Sequence, residues 1–249
     1  MKVLIVYAHP EQRSFNAALL ARSLDVLAAE GHETVVSDLY AMSFNPVATE
    51  ADFLERRFSD RLHYDREQKH SVGRNSFTSD IGGEIEKLLW CDVLILQFPL
   101  WWFSVPAILK GWLDRSLVNG VAYGGGRRYD AGGLKGRRAM IVTSTAAYDT
   151  MCKPGGLVGE LDVILWPIQN GTLAYCGFDV LPPFVSYSVS FVDDKARGAY
   201  FAAYEQRLRS LATTEPLDFH PLDDFGPDWR LKAGVAPRAI GQMRSGAMF

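Results

Sequence analysis

The sequence predicts a doubly wound α/β fold: a five-stranded parallel sheet of order 2-1-3-4-5, helices on both faces, and a C-terminal extension. Three observations predict it. Strand-length runs at 3–8, 33–38, 93–98, 138–143 and 179–186 are separated by segments of helical periodicity. That alternation implies parallel strands covered on both faces and joined by right-handed crossovers. An aromatic loop, Phe98-Pro99-Leu100-Trp101-Trp102-Phe103, follows the third run and precedes a helix start at Pro106, the place where open parallel sheets bind ligands.

Residues 3–8 read as a fully buried first strand. A polar loop, 9–13, leads into a helix at 14–30, with Ser14 as N-cap, Ala17, Leu20, Ala21 and Leu24 as its apolar stripe, and Gly31 as the residue that ends it. Residues 33–38 form strand two. Residues 46–80 are polar and irregular, an insertion with some short helix wrapping the surface. A helix at 81–90, strand three at 93–98 and a helix at 107–118 follow. A Gly-rich loop at 119–136 carries Tyr123 and Tyr129 and precedes strand four at 138–143. Residues 157–175 are mostly helical, interrupted near Pro167. Strand five spans 179–186 and a last helix 193–212. The main domain is therefore 1–212, and 213–249 is an extended tail containing Pro216, Pro221, Pro227 and Pro237.

Composition narrows the function. The 249 residues are 48% hydrophobic and 22% charged, with a net charge of −3, which gives no electrostatic case for nucleic acid or an anionic membrane. Three scattered cysteines without a CxxC argue against a disulfide framework, and Cys91 and Cys176 read as core residues. Five single histidines give no metal-ligand spacing. No run has the length of a membrane span and the first residues lack a secretory pattern, so the expected compartment is the cytoplasm. The chain has no GxGxxG after strand one, no GxxxxGK[ST] and no GxSxG.

In a flavodoxin-like order, the loops after strands one, three and four converge on one crevice. The first, Ala8 to Asn16, opens into a helix N-terminus suited to a phosphate or pyrophosphate, with His9 and Ser14 as added donors. The third presents Trp101, Trp102 and Phe103. The fourth, Ser144-Thr145-Ala146-Ala147-Tyr148, is small and hydroxyl-bearing. Each has an ordinary explanation by itself: a capping serine, packed aromatics, a Ser/Thr turn. Together they describe a flavin nucleotide site, the protein supplying orientation and electrostatics.

The chain resembles the NAD(P)H:quinone oxidoreductases, the DT-diaphorase-like family, from residue 3 to about 229. The resemblance rests on Ala8-His9, Ser14-Phe15-Asn16, 37–42, Phe98-Pro99-Leu100, Trp102-Phe103, 105–112, 163–169 and Cys176-Gly177-Phe178. It implies a flavodoxin-like fold, non-covalent FAD with FMN as the alternative, and a homodimer with active sites at the subunit interface. It also implies ping-pong transfer from NAD(P)H through the flavin to a quinone. His9, Phe15, Asn16, Asp114 and Arg197 would meet the pyrophosphate and adenosine side, with Ser14. Phe98, Pro99, Leu100, Trp101, Trp102, Phe103, Ser144, Thr145, Ala146 and Ala147 would frame the ring. Tyr123, Met151, Tyr175 and Trp229 would line the acceptor pocket.

Departures from the family pattern qualify this. Cys152 and Val158 stand where the family has a tyrosine and a histidine near the flavin edge, and neither replaces that pair well. Gly125 stands for a pocket tyrosine and Trp101 for a glutamine. Cys152 is the catalytic candidate by position, and Tyr148 is the candidate substitute donor. The alternatives to quinone reduction are azo or nitroaromatic reduction, an ancillary subunit of a potassium efflux system, and an FMN electron carrier.

Overall fold

The computed structural model describes residues 1–239 and 242. Its sheet has the order β2-β1-β3-β4-β5, with a sixth strand, β6, also paired to β4. The elements are β1 (Lys2–Tyr7), α1 (Phe15–Ala29), β2 (Glu33–Asp38), α2 (Tyr64–Val72), α3 (Ser79–Trp90) and β3 (Val93–Pro99). They continue with α4 (Ala107–Ser116), β4 (Arg138–Ser144), α5 (Leu161–Ile168), β5 (Asp179–Val180), β6 (Phe184–Ser186) and α6 (Asp194–Arg209). All strand pairs are parallel.

Side-chain alternation along the buried strands divides the core in two. Leu4 and Val6 face one layer with Leu109, Trp112 and Leu165, while Val3 and Ile5 face the other with Leu19, Leu27 and Leu208. Thus α3, α4 and α5 cover one face, and α1 and α6 the other. Ser14 caps α1 by accepting from the Ala17 N–H at 3.1 Å. Gly31, at φ +72°, ends it: the Gly31 N–H donates to Ala28 and the His32 N–H to Leu27, a Schellman closure.

Three expectations need correction. The fifth strand is not continuous over 179–186, because Pro182 and Pro183 lack the N–H groups that a ladder needs; the chain pairs before them and again after them. The helix expected over 157–175 starts only at Leu161, after Gly155, Gly156 and Gly159. It is not broken at Pro167 but widens just beyond it into a π-helical turn, Gln169–Ala174. The insertion is also more than a surface wrap. Arg115, buried on α4, pairs with buried Asp52 and with Asp80, both at 2.9 Å, and Tyr64 donates to Asp52. Burial alone would raise the Glu67 carboxyl, but the Arg57 and Phe58 N–H groups and the Arg56 guanidinium hold it below the usual range.

The tail is tied back to the domain. Leu217 donates to the Val180 carbonyl at 2.7 Å, and Phe225 pairs with Leu231 in a small antiparallel bridge. The last part of the expected extended tail, 240–241 and 243–249, lies outside the described residues. Among the described residues, no helix is long and apolar enough to cross a membrane.

Candidate functional site

A cleft of about 590 Å³ opens at the carboxyl ends of β1, β3 and β4. A buried polar chain lies behind it, and two of its members, Asn16 and Ser144, line the cleft. The Gln97 Nε2 donates to the Asn16 carbonyl at 2.6 Å, and the Asn16 Nδ2 donates to the Ser144 hydroxyl at 2.8 Å. These residues are forced together because β3 and β4 run in register to their ends and α1 begins directly above. The Asn16 Oδ1, Gln97 Oε1, Thr143 Oγ1 and Ser186 Oγ remain without partners although buried. Orphaned buried polar atoms cost free energy unless something pairs with them.

The loop after β1 is pre-formed. The His9 Nδ1 accepts from the Glu11 N–H at 3.0 Å, and burial holds the imidazole below its ordinary pKa, against an opposing pull from Glu11. The ring is thereby kept neutral, with Nδ1 as its acceptor. Phe15 stacks on Phe201 of α6 at 5.2 Å, which fixes the outer wall. Arg197 lines the same end and pairs with Asp194 at 2.8 Å.

The loop after β3 is a two-residue hairpin. Trp101 and Ser104 exchange backbone hydrogen bonds of 3.1 and 3.0 Å, and Trp102 and Phe103 between them have φ of +49° and +59°. Left-handed backbone at both centres defines a type I′ turn, which Asn-Gly normally occupies. Here two aromatic residues take it and point outward, Trp102 94% exposed.

Most of the expected cofactor residues come together: His9, Ser14, Phe15, Asn16, Pro99, Leu100, Trp101, Ser144, Thr145, Ala146 and Arg197 line the cleft. Others do not. Phe98 is fully buried and belongs to the core, because as a strand residue it points away from the mouth. Ala147 turns toward the core and binds the Thr145 hydroxyl through its N–H. Trp102 and Phe103 project past the rim. Asp114 is on α4, held by Lys110 at 2.7 Å, and is not part of this wall. Cys152 is also displaced. It lines a separate cavity of about 480 Å³ with Glu160, Asp162 and Tyr187, and burial, with Asp149 adding, pushes its thiol up. A thiol so placed is a poor proton donor to the cleft. Tyr148 is exposed on the following loop and Met151 half-buried in the next turn, neither lining the cleft.

The expected acceptor residues gather elsewhere. Tyr175 packs between Tyr123 and Tyr129, at 5.9 and 5.4 Å. Tyr175 and Trp229 share a cavity of about 330 Å³ under the tail. Sequence reading missed Arg13, Ala18, Val189, Ser190 and Phe201 in the first cleft. The α6 stripe that places Phe201 three to four residues from Arg197 was the available signal.

These features define a flavodoxin-like protein with a nucleotide-sized cleft at the switch point of its sheet. The family model described as flavodoxin-like fold matches residues 1–211. The chain is 42% identical to ribosyldihydronicotinamide dehydrogenase [quinone] of Pongo abelii over 217 residues, 87% of this chain and 94% of that one. It is 39% identical to NAD(P)H dehydrogenase [quinone] 1 of Rattus norvegicus, over 94% of this chain and 85% of that one. A solved structure described as a putative quinone reductase from Klebsiella pneumoniae superposes with a TM-score of 0.92 at 40% identity, covering 96% of each chain. The chain belongs to the NAD(P)H:quinone oxidoreductase family.

Proposed function

We propose that the protein is a FAD-dependent NAD(P)H:quinone oxidoreductase that works as a homodimer with ping-pong kinetics. One observation carries this reading: Asn16, whose buried Oδ1 has no partner, and Ser144 line the cleft beside the aromatic loop after β3. An accepting amide oxygen and a hydroxyl beside aromatic rings fit the polar rim and flat face of a flavin. The cleft also runs outward to Arg13, Arg197 and the Phe201 face, two cations and a ring suited to an adenosine diphosphate half, which favours FAD over FMN. When bound, the flavin supplies two-electron relay, so that NAD(P)H, a proton and a quinone become NAD(P)⁺ and hydroquinone.

The protein's own part is binding and positioning. The α1 N-terminus and His9 receive the pyrophosphate, and Asn16 and Ser144 fix the ring edge. With Cys152 lining another cavity, the Ala146 N–H is a donor that the loop after β4 brings to the cleft. Tyr123, Tyr175 and Trp229 would close the acceptor pocket of a second copy. The exposed Trp102, Phe103 and Leu157 are the apolar surface that such a copy would cover.

The test is an anaerobic absorbance spectrum of the purified protein. A flavin band that bleaches on NAD(P)H and returns on adding a quinone is expected, with FAD released by heat and one flavin per chain. A protein that takes up no flavin on reconstitution sinks the reading.

A further inference from the structure

The cavity under the tail contains a cation that the reading above leaves unused. Arg128 lies with its guanidinium 4.9 Å from the centre of the Trp229 ring, across from Tyr175. A guanidinium over a ring face can still direct the N–H edge of its own plane to a ligand, a planar fork that matches carboxylate or sulfonate oxygens. The carboxylates nearby are already engaged. Asp130 accepts from the Leu222 N–H at 3.0 Å. Asp224 is held by His220 at 2.6 Å and Arg238 at 3.7 Å. His220 offers nothing further to a ligand, since its Nε2 faces the Arg238 N–H. Among the described residues, Arg128 is therefore the cation that lines this cavity, and no carboxylate pairs with it.

The backbone shows that the rings are held in place. Among the described residues, seven non-glycine residues have positive φ and four of them are aromatic: Trp102, Phe103, Tyr129 and Trp229. Two of these, Tyr129 at +48° and Trp229 at +60°, are in this one cavity. Large side chains rarely take that conformation, and where they do the surroundings impose it, often at ligand sites. Trp229 sits on a tight turn closed by its N–H to the Gly226 carbonyl at 3.0 Å. Tyr129 is tied by its N–H to the Tyr175 carbonyl at 2.8 Å.

We propose that Arg128 selects anionic acceptors: flat aromatic quinones, or azo or nitro compounds, that carry a carboxylate or sulfonate. The aromatic body would lie between the Trp229 and Tyr175 rings, with the anion on the guanidinium edge. This rests on the assignment of Tyr175 and Trp229 to the acceptor pocket.

The test uses the flavin-loaded full chain and two matched probe pairs. Calorimetric titration compares naphthalene-2-sulfonate with naphthalene-2-sulfonamide. Turnover compares 1,4-naphthoquinone-2-sulfonate with 1,4-naphthoquinone. The wild type is expected to prefer the sulfonate. Arg128→Gln is expected to weaken the sulfonate by about tenfold more than the sulfonamide, with the same split in KM, and Arg128→Lys to restore part of it. Equal losses for both members of a pair, or no preference in the wild type, overturn the proposal. A wild type that prefers the sulfonate in calorimetry yet reduces neither quinone leaves the anion site standing and removes the quinone reductase reading.

Discussion

The cleft at the sheet edge and the cavity under the tail are both walled by aromatic residues, but they are built in opposite ways. The cleft is lined by Ser144, at the end of a central strand, and Asn16, at the start of α1, with Gln97 bonded to Asn16 from behind. Its geometry is that of the sheet itself. The cavity gathers Arg128 and Tyr129 from a Gly-rich loop, Trp166 and Tyr175 from α5 and its π turn, and Trp229 from the tail. Its geometry depends on single hydrogen bonds between irregular segments. A site of the first kind rises and falls with global stability, while one of the second kind can loosen by itself.

The largest expected effect falls on the Gly-rich loop. A Cβ on Gly133 would stand 1.7 Å from the Val121 carbonyl oxygen, so Gly133→Ala must displace backbone. It should cost about 3 kcal/mol in urea unfolding. If the two sites are separable, the folded fraction still takes up flavin; simultaneous loss of both would break the comparison. Asn16→Ala comes next. It removes the link to Ser144 and should cost about 2 kcal/mol together with most of the bound flavin, read as absorbance per chain after purification.

Trp102→Asn combined with Phe103→Gly should act in the opposite direction. The pair suits the type I′ turn, so the flavin-free protein should gain about 1 kcal/mol. A lower melting temperature would show that the exposed rings pack on something. His220→Ala frees Asp224 and the Arg238 N–H and should cost about 1 kcal/mol. Amide exchange should quicken over 219–231, and flavin content should not change. The smallest effect is at His9. Its folded pKa is depressed by burial, so its contribution to stability is present above the unfolded value of about 6.5 and fades as the pH falls below it. The ring resonances in NMR should titrate below the usual histidine midpoint; a midpoint above it would reverse the sign.

Strand positions, the Ser14 cap, the Gly31 stop and the sheet order were legible in the sequence because each rests on local chemistry or on a short apolar period. The proline pair that splits the last strand was visible as well, but its consequence depended on which neighbour the strand met. Most cleft residues could be read for the same reason: they follow strands directly, and strand ends converge. Cys152 could not. The family resemblance assigns its position to the flavin edge, while packing between α5 and β6 places it on another cavity. Phe98 and Pro99 differ by one step of strand alternation, which is enough to put Phe98 in the core and Pro99 in the cleft wall.

Periodicity and turn chemistry, which act over a few residues, account for the doubly wound sheet, the crevice at its switch point and the residue types at the crevice. Packing in three dimensions settles which polar atoms are buried without partners, which cavity Cys152 lines, and that Arg128 meets Trp229 about a hundred residues away. Those outcomes depend on contacts between distant segments, whose free energy no local pattern records.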